Sequence, residues 1–166
     1  MTAKNTLTSR SFLLIFFLAL CFVIAFAGHV ATEHSVHSWY HTLDKPSWNP
    51  PSWVFAPAWT ILYLMIAAAG WLISLAKPSK TRTKVLAFYF IQLAANGLWS
   101  FSFFYFQSPG LGLVNIVFLE IFIGLTLSGA WSINKKATWL LVPYFLWVFY
   151  ATTLNAAIFW LNRAQS

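Results

Sequence analysis

The sequence predicts an all-α membrane protein, a five-transmembrane-helix bundle forming one domain over residues 1–166. Three observations lead there. Only 8% of the residues are charged while 60% are hydrophobic, and the mean hydropathy is +0.69; a soluble domain carries about 25% charged residues, so lipid must solvate most of this surface. The apolar residues fall into five runs, each long enough at 1.5 Å per residue to cross about 30 Å of hydrocarbon as a helix. The alternating polarity of a membrane β-barrel is absent. A single cysteine, Cys21, rules out an intrachain disulfide and a Cys-based metal site. Lipid alone does not account for ten tryptophans and 17 phenylalanines, since Leu, Ile and Val are equally soluble in it.

The helices are expected at about 11–30, 52–76, 84–106, 111–133 and 137–162, with one long loop at 31–51. Lys4 and Arg10 precede an apolar stretch that ends near Ala25-Phe26-Ala27, the pattern of a cleavable signal peptide. The uninterrupted run of 16 residues from Phe12 to Ala27 exceeds the usual 7–15 residue core of such a signal, so a retained helix is expected. Pro50-Pro51 opens the second helix, where Pro57 in the first turn is tolerated because its missing N–H has no intrahelical partner there. Lys77-Pro78-Ser79-Lys80, Ser108-Pro109-Gly110 and Asn134-Lys135-Lys136 mark the remaining joints, and Pro143 is read as lying near the start of the fifth helix.

Charge then orients the bundle. With five spans, the N-terminus and the second and fourth loops share one side, which collects Lys4, Arg10, Lys77, Lys80, Arg82, Lys84, Lys135 and Lys136. The other side holds Lys45 and Arg163. Eight basic residues against two predict a cytoplasmic N-terminus in a bacterial cell membrane; for an organelle outer membrane the rule is unreliable. The same distribution accounts for the net charge of +7 without a nucleic-acid partner, and none is expected.

Some residues need more than a bilayer to explain them. The long loop carries Trp39-Tyr40-His41 and Lys45-Pro46-Ser47-Trp48-Asn49-Pro50-Pro51-Ser52-Trp53. Its aromatic residues suit the headgroup level, and its prolines stiffen it enough to serve as a lid. His29, His34, His37 and His41 include helical spacings, but without a supporting carboxylate motif no metal site is expected. Gln92, Asn96 and Trp99/Ser100 share a face of the third helix, as Tyr144, Trp147, Ala151, Asn155 and Asn162 do in the fifth. Such stripes must point into the bundle, either as interhelical hydrogen bonds or as the wall of a pocket for a flat apolar ligand. Glu120 is the one acid inside a span, at a cost of about 2.5 to 3.5 kcal/mol on insertion scales. It is read as a structural hydrogen-bonding group, and it is also the only candidate coupling group for transport.

Three ordered blocks carry a family resemblance. Trp39-Tyr40-x-x-Leu43-x-Lys45-Pro46-x-Trp48-x-Pro50-Pro51 leads to Pro57-x-Trp59-x-x-Leu62-Tyr63. The third helix has Gln92-Leu93-x-x-Asn96-x-x-Trp99-Ser100-x-x-Phe103-Phe104. The fifth has Pro143-Tyr144-x-x-Trp147 and Ala151-Thr152-x-Leu154-Asn155-x-x-Ile158-x-x-Leu161-Asn162. Together they resemble the tryptophan-rich sensory protein and translocator protein family (TspO/MBR, the peripheral-type benzodiazepine receptors), over essentially the whole chain after Ser11.

The resemblance implies a five-helix bundle, usually a homodimer, whose pocket is closed by the first loop. It implies binding of protoporphyrin IX, haem and benzodiazepine-type or isoquinoline ligands, and of cholesterol in animal members, with no cofactor required. The family's pocket wall maps onto Tyr40, Pro50, Trp59, Tyr63, Asn96, Trp147 and Ala151. Some members are proposed to degrade protoporphyrin in light and oxygen, which would make Trp59 and Trp147 catalytic as oxidisable indoles against a photosensitiser. Two departures stand out. Asn115 occupies a position where the family often has Asp, and Leu154, Phe159 and Arg163 put Phe where the cholesterol motif needs Tyr.

Overall fold

The computed structural model describes the backbone of residues 3–163 and the side chains of residues 10–163. Its elements are helix α1 (Ala3–Glu33), a short helix α2 (Trp39–Thr42), a 3-10 turn (Ser52–Val54), α3 (Phe55–Ser74), α4 (Lys80–Ser100) continuing into a π-helical turn (Phe101–Tyr105), α5 (Pro109–Ile133) and α6 (Lys135–Asn162). No strand occurs among the described residues. Five helices, α1, α3, α4, α5 and α6, are long and apolar enough to cross a membrane.

The helix starts follow capping chemistry. Ser79 Oγ accepts from the Arg82 N–H at 3.1 Å and Ser108 Oγ from the Leu111 N–H at 3.3 Å, while Asn134 Oδ1 accepts from Lys136 and Ala137 at 3.0 and 3.3 Å. Each satisfies N–H groups that the first helical turn leaves without a partner. Because Ser79 caps α4, that helix begins at Lys80 and keeps its charged first turn rather than starting at residue 84. Pro57 is the third residue of α3, as the first-turn argument requires. Pro143 departs from expectation: α6 begins at Lys135, so this proline lies in the helix interior and leaves the Trp139 carbonyl without its i→i−4 donor.

The five long helices close into a ring in which α1 packs on α3, α3 on α6, α6 on α5, α5 on α4 and α4 on α1. Direction alternates along the chain. Trp71 Nε1, near the end of α3, donates to the Arg10 carbonyl near the start of α1 at 3.0 Å, and Ser35 Oγ, just beyond α1, donates to the Phe104 carbonyl after α4 at 2.6 Å. Close packing joins α1, α3 and α4. Tyr89 is fully buried, donates to the Ile66 carbonyl at 2.9 Å and meets Phe17 edge-on. Only a glycine fits opposite: a Cβ on Gly70 would lie 2.5 Å from the Tyr89 ring.

Outside the ring the surface is lipid-like. Phe12, Phe22, Phe26, Ile61, Val114, Ile121 and Phe149 are all exposed, an arrangement that only hydrocarbon would solvate well.

Candidate functional site

Three helices send polar and aromatic side chains to one level of the bundle. Trp59 and Tyr63 stand one turn apart on α3, with ring centroids 5.4 Å apart. Gln92 and Asn96 stand one turn apart on α4, and Tyr144, Trp147 and Ala151 follow helical spacing on α6. A directed hydrogen-bond chain joins them. The Tyr63 hydroxyl donates to Asn96 Oδ1 at 2.6 Å, Asn96 Nδ2 donates to the Tyr144 hydroxyl at 3.0 Å, and that hydroxyl donates to Gln92 Oε1 at 2.7 Å. Tyr144 and Gln92 are fully buried.

Aromatic rings border this chain. Trp59 meets Tyr144 edge-on at 6.4 Å, and Trp147 lies between Phe55 at 6.0 Å and Tyr150 at 5.9 Å. Two donors at this level stay unmatched: Trp147 Nε1 and Gln92 Nε2 are buried without a hydrogen-bond partner among the described residues. Buried donors left this way cost about 1 to 3 kcal/mol each. Aromatic faces beside unmatched donors are suited to a flat apolar molecule that carries an acceptor on its edge.

The long connection lies over this end of the bundle, beginning at residue 34 rather than 31 because α1 runs to Glu33, and is tied down at several points. Asn162 holds the Asp44 backbone from both sides, accepting from its N–H and donating to its carbonyl, each at 2.9 Å. The Tyr150 hydroxyl donates to the Trp48 carbonyl at 2.7 Å. Tyr40, on α2, packs on Phe103 and Phe104 of the π-turn, sits under the Lys45 ammonium at 4.7 Å and donates to Asn49 Oδ1 at 3.4 Å. Burial holds the Tyr40 hydroxyl above its ordinary pKa, partly offset by the bond to Asn49. Asn49 Nδ2 donates to the carbonyl of half-buried Pro50 at 3.2 Å.

The TspO/MBR family model matches residues 17–161. The chain is 45% identical to the tryptophan-rich protein TspO of Chlorobaculum tepidum over 87% of this chain and 92% of that one, and 42% identical to its namesake in Archaeoglobus fulgidus over 84% and 90%. It is 34% identical to the translocator protein of Homo sapiens over 72% of each chain. The chain belongs to the TspO/MBR family.

In this TspO/MBR chain the residues singled out from the sequence divide into two groups. Trp59, Tyr63, Asn96, Trp147 and Ala151 lie in or against the main core formed by the ring of helices. Tyr40 instead packs on a second cluster of Leu43, Phe103, Phe104 and Ile158, and Pro50 lies in the loop. Trp99 touches both clusters; it stacks on Phe103 at 5.3 Å and donates to Asn155 Oδ1 at 3.1 Å. Asn155 in turn donates to the Pro109 carbonyl at 2.8 Å, joining α4, α6 and the start of α5. Asn162 differs from the reading as an interhelical link, because its partner is the loop backbone.

Phe55 and Tyr150 were not anticipated. Their signal was their aromatic type within reach of Trp147, at three residues for Tyr150, but sequence does not pair Phe55 with a residue 92 positions away. Of the histidines, His37 and His29 approach Glu33 at 3.4 and 3.9 Å, and His34 meets the Tyr105 ring at 4.8 Å. A shallow groove between the loop and α6, lined by Lys45, Trp48, Ala157 and Trp160 among others, contains none of the residues mapped to the pocket wall.

Proposed function

We propose that this protein is an integral membrane receptor or sensor that binds porphyrins, such as protoporphyrin IX and haem, and other flat apolar ligands, and through them regulates tetrapyrrole homeostasis or a stress response. The carrying observation is the aromatic layer of Trp59, Tyr63 and Trp147 beside the hydrogen-bond chain through Asn96, with the Trp147 indole N–H unmatched. Family membership supports the reading, since relatives are called tryptophan-rich sensory protein and translocator protein. In it, the rings supply stacking area, Asn96 and Trp147 the polar contacts, Ala151 the room, and the loop with Tyr40 and Pro50 the cover. The protein works as a homodimer in a bacterial cell membrane, N-terminus inside. Tryptophan fluorescence titrated with protoporphyrin IX tests the proposal: saturable quenching supports it, weakened in Trp147→Phe, and no saturable quenching by the wild type overturns it.

A second reading, light- and oxygen-dependent degradation of the bound porphyrin, is favoured by the position of Trp59 and Trp147 in the same aromatic layer. An indole there is an electron donor within reach of an excited macrocycle. Aerobic against anaerobic illumination of the porphyrin-loaded protein separates the two readings. Loss of porphyrin only in air, and slowed in Trp59→Phe/Trp147→Phe, assigns the chemistry to the protein; equal loss in that double variant removes it. Transport of tetrapyrroles or sterols would rest on Glu120, whose surroundings favour a different role.

A further inference from the structure

Glu120 is one of only three acidic residues in the chain, with Glu33 and Asp44, and the only one within a membrane-spanning stretch away from its ends. It sits on α5 at the edge of the packed face formed by Ile116, Leu119 and Ile123, opposite Thr152 of α6. Thr152 Oγ1 lies 2.9 Å from the Val148 carbonyl oxygen, one turn back in its own helix, and 2.9 Å from Glu120 Oε2.

A hydroxyl has one proton to give. The carbonyl oxygen has only lone pairs, and donation to it is the ordinary arrangement for a threonine inside a helix. With the threonine proton placed there, the contact with Glu120 is a hydrogen bond only if the carboxyl brings a proton of its own. Two further observations agree. Glu120 Oε1 is buried with no hydrogen-bond partner among the described residues, which a carboxylate in hydrocarbon tolerates far less than the carbonyl oxygen of a neutral acid. Glu120 also takes no part in the ion pairs among the described residues, which join His29 and His37 to Glu33.

We propose that Glu120 is held as a neutral carboxylic acid that donates its proton to Thr152 Oγ1, forming a proton-bearing clasp between α5 and α6. The clasp sets the position of Thr152 and so of its neighbour Ala151. Glu120 is thereby a positioning residue for the α6 wall, and the clasp exists whatever ligand that wall meets. Infrared spectroscopy of the purified protein in lipid nanodiscs at neutral pH tests the proposal. The difference spectrum between wild type and Glu120→Gln removes the other carbonyls, lipid esters included, so a protonated-carboxyl band in it belongs to Glu120. The band is expected in the wild type, absent in Glu120→Gln, shifted to higher frequency in Thr152→Val where its hydrogen bond is lost, and back in place in Thr152→Ser. Loss of carboxylate bands instead in Glu120→Gln, or an unshifted band in Thr152→Val, overturns it. The Thr152 variants keep the test decisive should Glu120→Gln fail to fold.

Discussion

The amide of Asn96 is engaged at both ends, accepting from Tyr63 and donating to Tyr144, so its removal strands the Tyr63 hydroxyl and leaves the Tyr144 hydroxyl only its bond to Gln92. Asn96→Ala is expected to destabilise the protein by about 1 to 3 kcal/mol, read as a lower melting temperature in detergent. Tyr40 gives a pH-dependent expectation. Its hydroxyl is held above the ordinary value, mainly by burial, so the folded loop favours the neutral form. The stabilisation is full below the unfolded value of about 10 and is lost as pH rises through the higher folded value. Protease cleavage of the loop should therefore rise in strongly alkaline buffer in the wild type and show a smaller pH dependence in Tyr40→Phe. At this scale the site was partly legible. Trp59 with Tyr63, and Trp147 with Ala151, stand out because helical spacing places each pair on one face. The chain from Asn96 through Tyr144 to Gln92 was not, because periodicity orients each helix but does not say which residues of two helices meet.

Among the elements, the long helices were legible because hydrocarbon allows only helices or closed barrels and the alternating polarity of a barrel is absent, and their ends were less so. Charged residues excluded Lys80 from the apolar run, yet the Ser79 cap starts α4 there. The π-turn at Phe101–Tyr105 had no signal, since π-turns follow from packing rather than composition. It aims Phe103 and Phe104 at Tyr40, which makes it the platform for the loop. The loop's two side-chain ties to α6, Asn162 to Asp44 and Tyr150 to Trp48, are expected to set its opening. Asn162→Ala should raise amide hydrogen exchange at residues 43–48 more than Tyr150→Phe, because it removes two hydrogen bonds rather than one; equal exchange in both variants and the wild type would contradict this assignment. Close approach of α3 and α4 yields a stability expectation as well. Gly70→Ala pushes a methyl group into the Tyr89 ring and should cost about 1 to 3 kcal/mol through overpacking, measured as a loss in melting temperature.

For the molecule as a whole, the low charge content identifies the solvent and the tryptophans mark levels within it. Trp131, Trp139 and Trp160 are exposed near helix ends, two of them beneath cations: Lys135 lies 5.1 Å from the Trp131 ring centroid and Arg163 lies 3.6 Å from that of Trp160. They fit the interfacial belt. Trp59, Trp99 and Trp147 turn instead into the cores of the ring, where a bilayer gives no reason for them. That inward group is what the proposed ligand explains. The most direct measurement is the dissociation constant of protoporphyrin IX for Ala151→Leu, with Leu146→Ala, on the lipid-facing side of the same helix, as control. A methyl-to-isobutyl change in the proposed wall should weaken binding about tenfold or more, roughly 1.4 kcal/mol, with the control unchanged. Wild-type affinity in Ala151→Leu would contradict the placement of the ligand against α6.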